Sequence, residues 1–306
     1  MTGATTTQQP QQLPSPGRIF LDHVGWMVPN MALAEKAFEI LGFPLTPLSI
    51  HGVTDPATGE LKPTGTGNRL AMLPQGYLEI LTPHGGIDNP TVAHLKASMA
   101  RHIGIHLLAF TVADAEAGAK RLVAEGFNLQ PTVHLRRTIE AEDGSQAEVA
   151  FTVIRTGYDT FPEARCQILS HHTPEHMWQK RYLPPENCIT GLLEATLVVD
   201  DPAECAGRFS KFLGRGVLPD KEDRLILLDR GRVRFIKRQS ASNLFGARAL
   251  PPNPSVAAIT LTSSDIERTR DVFLSNGLHP GSLGAPHLLL DAEEGLGVHI
   301  IVVPAG

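Results

Sequence analysis

Leu21-Asp-His-Val-Gly-Trp-Met-Val28 is the stretch that decides the fold. Its apolar and β-branched content reads as a strand. Pro29-Asn30 makes a turn, and Leu33, Ala37, Phe38 and Leu41 then recur at helical spacing until Gly42 stops the helix. Strands follow around Leu70–Leu73 and Tyr77–Leu81. The same order returns from Gly104-Ile-His-Leu-Leu-Ala-Phe-Thr-Val112, with Asp114 as helix N-cap, a stop at Gly126, and strands near Gln146–Ile154 and Ala164–Leu169. A third copy runs through Glu194–Val199, Pro202–Leu213, Gly214, Leu225–Leu228 and Val233–Lys237. A fourth runs through Val256–Thr262, Ile266–Ser275, Gly277, Leu288–Leu290 and Val298–Val303.

The spacing ties the copies together. Nineteen residues separate His23 from Gly42. Twenty separate His106 from Gly126, Glu194 from Gly214, and Ala257 from Gly277. A fixed period marks a repeat architecture, and each copy reads β-α-β-β-β. One such unit cannot bury its sheet alone, so the expected fold is α+β, with four βαβββ modules paired into two domains. Residues 18–180 form the first pair and 190–306 the second. Pro174 to Thr190, with Pro184-Pro185, forms the linker, and residues 1–17, rich in Thr, Gln and Pro, form a disordered tail.

Composition narrows the function. The 306 residues carry 42% hydrophobic and 19% charged side chains, a net charge of −5 and a pI near 6.2. No basic stripe suits nucleic acid, and no apolar run of about 18 residues suits a membrane span. Cys166, Cys188 and Cys205 are widely spaced, and the first residues lack a signal-peptide pattern, so a cytoplasmic protein is expected. There is no dinucleotide fingerprint, P-loop or Gly-x-Ser-x-Gly elbow.

His23 and His106 occupy matching places in the first strands of copies one and two. Glu79 and Gln167 match in the last strands, within Tyr-Leu-Glu-Ile-Leu and Arg-Cys-Gln-Ile-Leu. A carboxylate on a concave strand face is costly to bury without a partner. His23, Glu79 and His106 therefore form a candidate set for a divalent ion: Fe by the facial-triad pattern, or Zn, Mn, Ni or Co. The competing readings are a satisfied core histidine and a solvated glutamate.

This pattern resembles the vicinal-oxygen-chelate superfamily, and its glyoxalase-like branch in particular. The matching text is Leu-Asp-His-Val-Gly, Gly67-Asn-Arg-Leu-Ala-Met-Leu, Gly-Tyr-Leu-Glu-Ile-Leu and Ser170-His-His-Thr-Pro-Glu-His-Met-Trp178. The resemblance implies vicinal-oxygen-chelate-type domains, a metal in a cup, and a small-molecule substrate chelated through neighbouring oxygens; homodimers are common among such proteins. Catalytic candidates are Glu79, His171 and Gln167; substrate contacts are Asn68, Arg69, His172 and Trp178, with Tyr77 and Arg155 fainter. The leading expectation is a metal-dependent glyoxalase-like lyase or isomerase working through an enediolate. Glyoxalase I has a second glutamate as its base where this chain has Gln167, so Glu79 or His171 would have to serve. The alternatives are an Fe(II)-dependent extradiol-type dioxygenase and a non-catalytic binding protein. Copies three and four offer Glu194, Ala257, Arg234 and His299, which make no metal set.

Overall fold

A computed structural model describes residues 12–54, 60–183 and 186–306. Residues 1–11 of the expected tail, and Pro184-Pro185 of the expected linker, lie outside the described residues. Module one is β1 (Ile19–Met27), α1 (Met31–Ile40), β2 (Ser49–Thr54), β3 (Leu61–Met72) and β4 (Tyr77–Pro83). Helix α2 (Pro90–Arg101) leads to module two: β5 (Gly104–Val112), α3 (Ala115–Ala124), β6 (Val133–Glu140), β7 (Gln146–Arg155) and β8 (Arg165–His171). A short helix, α4 (Pro174–Met177), and a 3-10 turn at Lys180–Tyr182 follow. Module three is β9 (Ile189–Val198), α5 (Pro202–Leu213), β10 (Leu218–Asp220), β11 (Asp223–Leu227) and β12 (Arg232–Ile236), followed by α6 (Arg238–Phe245). Module four is β13 (Ser255–Ser263), α7 (Ile266–Ser275), β14 (Gly281–Ser282), β15 (Leu288–Leu290) and β16 (His299–Pro304).

The modules pair into two eight-stranded sheets, ordered β2-β3-β4-β1-β5-β8-β7-β6 and β10-β11-β12-β9-β13-β16-β15-β14. In each, the two first strands run antiparallel at the seam and each last strand runs parallel beside its own first strand. These are the expected two α+β domains of vicinal-oxygen-chelate type. The helices after the first strands start in one way: the side chains of Asn30, Asp114, Asp201 and Asp265 each cap a backbone N–H of the first turn. Sequence reading missed α2 and α6, and it ran the linker two residues too far, because Ile189 and Thr190 already belong to β9. No helix of the described residues is long and apolar enough to cross a membrane.

Alternation along β1 sorts its side chains. Val24 and Trp26 join Leu78, Ile80, Leu108, Phe110, Phe38 and Leu122 in the main core, which continues into the second sheet through Phe209, Phe212 and Phe235. The Trp26 indole donates to the Gly295 carbonyl across the domains at 3.1 Å. His23 and Gly25 face the other way, into the concavity. Arg137 on edge strand β6 donates to Ser49 Oγ on edge strand β2 at 2.7 Å, so a polar bond joins the two edges of the first sheet across its mouth. The second concavity is plugged. Phe245 and Ala241 of α6 pack against Val198, Ile236, Ala257, Ala258, Leu289 and Ile301.

Candidate functional site

Two rows of paired residues cross the first cup. One runs Tyr77, His23, Ala109, Gln167, Arg155. The next runs Leu70, Glu79, Gly25, Leu107, Arg165. Glu79 lies beside Gly25, two residues beyond His23. Gln167 lies beside Ala109, two beyond Leu107. If Glu79 and Gln167 are equivalent, the mate of His23 is therefore Leu107, not His106.

His106 is one residue out of register, at an irregularity where Gly25/Trp26 face Leu107/Ile105. A one-residue slip sends a strand side chain to the other face. The His106 ring lies 4.3 Å from the His102 ring, and its Nε2 donates to the His102 carbonyl at 2.9 Å. Burial there lowers its pKa to about 4. His106 shares a small pocket with His94, Arg101, Tyr158 and Arg165. The expected triad of His23, Glu79 and His106 does not close, and only its first two members meet.

Those two are held firmly. His23 Nδ1 donates to Asp22 Oδ2 at 2.7 Å, which leaves Nε2 3.7 Å from Glu79 Oε2. Asn68 Nδ2 donates to Glu79 Oε1 at 2.6 Å. Tyr77 stacks on His23 at 4.2 Å. His171 Nε2 donates to the opposite oxygen of Asp22 at 3.1 Å. Burial alone would raise the Asp22 carboxyl. His171 and His23 beside it instead hold it well below the usual carboxylate range. Burial pushes the Tyr77 phenol well above its usual value, with Asp22 and Glu79 adding to the effect.

The remaining expected residues divide by strand face. Asn68 and Gln167 face the cup, and the Gln167 side-chain oxygen is buried without a hydrogen-bond partner. Arg69, next to Asn68, points outward and pairs with Glu35 at 3.0 Å. His172, next to His171, is exposed and meets Thr152 Oγ1 at 2.9 Å. Neither Arg69 nor His172 reaches the cup, for the same alternation reason. Trp178 does cover one end: it is buried, edge-on to His171 and Tyr77, and donates to the Leu73 carbonyl at 3.0 Å. His171 is enclosed by Phe151, Tyr77 and Trp178 and serves Asp22 rather than the open site.

Asp22, His51, Arg137 and Arg165 were missed. A pairing irregularity between Leu21 and His23 lets Asp22 join the buried cluster. His51 sits at another irregularity, in the β2–β3 pairing, with Nδ1 2.9 Å from Thr66 Oγ1. Burial lowers its pKa to about 4, against the pull of Glu79 and with the push of Arg137, Arg155 and Arg165. For the arginines the available signal was alternation: Arg165 lies two residues from Gln167 on β8, and Arg155 pairs with Gln167.

A family model for the glyoxalase-like domain matches residues 21–213. The chain belongs to the glyoxalase-like domain family. A search of the curated proteins finds no match. Among solved structures, a hypothetical protein from Staphylococcus aureus aligns at TM-score 0.62 and 10% identity, covering 94% of this chain and 100% of that one. A triple mutant of 4-hydroxymandelate synthase from Streptomyces coelicolor aligns at 0.54 and 12%, covering 94% and 92%. A Mn(II)-bound glyoxalase from Novosphingobium aromaticivorans aligns at 0.53 and 12%, covering 94% and 82%. At these identities the likeness is one of fold.

A metal of the kind named for that last relative is tested by the donors present here. The four symmetry-related cup positions hold His23, Glu79, Leu107 and Gln167. Leu107 cannot ligate, and an amide oxygen is a weak neutral donor beside the three-ligand sets usual for catalytic zinc or non-haem iron. Among the described residues no group of three or more His, Cys, Asp or Glu is placed to hold a metal ion. The charges that act on Glu79 include Arg137, Arg155 and Arg165, which already balance a carboxylate. The residues do not fit a resident divalent ion.

Proposed function

We propose that the cup of the first domain binds a small oxygen-rich molecule and moves a proton on the carbon next to its carbonyl, as a lyase or isomerase does. The observation that carries this reading is the facing pair of His23 Nε2 and Glu79 Oε2 at 3.7 Å, in a buried cup. Each member has a fixed outer partner. Asp22 accepts the hydrogen bond from His23 Nδ1–H, which sets the tautomer and leaves Nε2 as the working nitrogen. Asn68 orients the Glu79 carboxylate.

In this reading Glu79 accepts the carbon-bound proton and the electron pair moves to the carbonyl oxygen as an enolate. The protonated Glu79 returns the proton to the adjacent carbon, while His23 exchanges a proton with the substrate oxygen. Proton transfer by a positioned side chain contributes about 10²–10⁴-fold to rate. Trp178 and the strands around it exclude water.

The test is solvent exchange. Small 2-oxo acids, 2-hydroxy acids and 2-oxo aldehydes are incubated with the protein in D₂O, and loss of the α-proton signal is followed by NMR. At least one compound exchanges with wild type and stops with His23→Ala. Exchange that survives His23→Ala, or none with wild type, overturns the proposal.

A further inference from the structure

The arginines of the first cup lack the partners that arginines have elsewhere in this protein. Arg208 grips Glu163 with both terminal nitrogens at 2.9 Å. Arg232 and Arg234 hold Glu194 in the second domain, and Arg248 holds Asp291. In the first cup the carboxylate in the corresponding concavity, Glu79, bonds to Asn68 and faces His23. Among the described residues the side chains of Arg155 and Arg165 make no hydrogen bond or ion pair, and Arg137 bonds only to Ser49 Oγ and lies over the Phe151 ring. The Nε atoms of all three are buried without a partner.

Three elements bring them together. Arg165 follows Glu79, Gly25 and Leu107 in one row, where it also lines the small pocket of His94, His106 and Tyr158; Arg155 follows Gln167 in the next row, and Arg137 reaches across the mouth from β6. His51, near Glu79, feels all three. The three side chains are half-buried, and each guanidinium nitrogen withdrawn from water without an anion carries a cost. Among the described residues Glu79 is the one carboxylate whose charge acts on all three. The three cations share one nearby carboxylate, which balances only part of their charge. The planar guanidinium fork matches carboxylate and phosphate oxygens.

We infer that the first cup is built for a small organic dianion, bound directly by Arg137, Arg155 and Arg165 in place of a metal ion. This rests on the proposed function above in naming the class of its substrate. The dianion seats its oxygens on Arg155 and Arg165, closes against Arg137, and presents its reacting carbon to Glu79. The second cup cannot do this, because Glu194 already occupies Arg232 and Arg234 and Phe245 fills the concavity.

The experiment is calorimetric titration of the full chain with oxalate, malonate and inorganic phosphate at constant ionic strength, with acetate as the monoanion control. One dianion binds per chain, more tightly than acetate. Arg155→Gln and Arg165→Gln each weaken it about 10- to 100-fold. Glu79→Gln tightens it, because it removes the one opposing charge. Preference for malonate or oxalate identifies a dicarboxylate, and preference for phosphate identifies a phosphate ester. Should a glutamine variant fail to fold, Arg155→Lys keeps the charge and loses the fork, and still weakens binding. No dianion binding to wild type at millimolar concentration, or binding that none of the arginine variants changes, overturns the inference. Failure of exchange with intact anion binding would instead overturn only the proton-transfer reading.

Discussion

Replacing Asp22 by Asn keeps the shape of a fully buried side chain and removes its charge. Asp22 accepts from two imidazoles, His23 Nδ1 at 2.7 Å and His171 Nε2 at 3.1 Å. Asparagine has one acceptor oxygen and one NH₂, so one imidazole must lose its bond and face a donor. Hydrogen bonds to charged groups contribute about 1.5–3 kcal/mol each. One lost bond of about 2 kcal/mol lowers the melting temperature of a chain of this size by roughly 3 °C. If His23 is the one that turns, its Nε2 carries the proton and cannot accept one, and the exchange rate falls by about 10²–10⁴-fold. The pH dependence follows from the depressed Asp22 pKa. Its contribution is present above the ordinary carboxylate pKa near 3.8 and is lost as pH falls through the lower folded value. The deficit of Asp22→Asn is therefore full at pH 7 and disappears only in strong acid. Calorimetric melting and exchange of both proteins at pH 7 check this. A variant that melts within a degree of wild type and exchanges at the same rate refutes the role given to Asp22.

Burial lowers the pKa values of His51, His94, His102 and His106 from 6.5 to about 4, so the unfolded chain takes up protons between pH 6.5 and 4 that the folded chain refuses. Stability therefore falls as pH drops through that window; urea midpoints at pH 7 and 4.5 show the fall, and His51→Gln reduces it. Glu194→Gln removes the counter-charge of Arg232 and Arg234. It costs about 1–3 kcal/mol, since both arginines are partly exposed, and it leaves dianion affinity in the first cup within twofold, as melting and calorimetry would show. At Gly76, where φ is +83°, an added Cβ would lie 2.4 Å from the Asp22 carbonyl oxygen. Gly76→Ala therefore displaces the backbone of Asp22, and it lowers melting temperature and exchange together.

Much of the fold was legible because the signal was periodic. Strand alternation, an Asn or Asp directly before each module helix, and the helix-stopping glycines recur four times. Helix α2 carried its own signature, Asn89 as N-cap and Pro90 at its start, but lay between modules where the repeat gave no reason to look. In the site, His23, Glu79, Asn68 and Gln167 were legible because alternation puts each on the concave face. The failures share one physical origin. His106, Asp22 and His51 all lie at pairing irregularities, where the period of two breaks and neighbouring residues exchange faces. Arg69 and His172 failed more simply, as immediate neighbours of cup residues. Arg137 and Arg165 looked like ordinary strand charges, because the missing counter-charges show only once the strands are brought together.

We propose that His23 and Glu79, without His106, form the working pair of the first cup. The direct measurement is α-proton exchange in D₂O on Glu79→Gln and His106→Ala side by side with wild type. Glu79→Gln is expected to lose exchange while still binding the dianion, and His106→Ala to exchange within a fewfold of wild type. Exchange abolished by His106→Ala in a folded protein, or retained by Glu79→Gln, would contradict it.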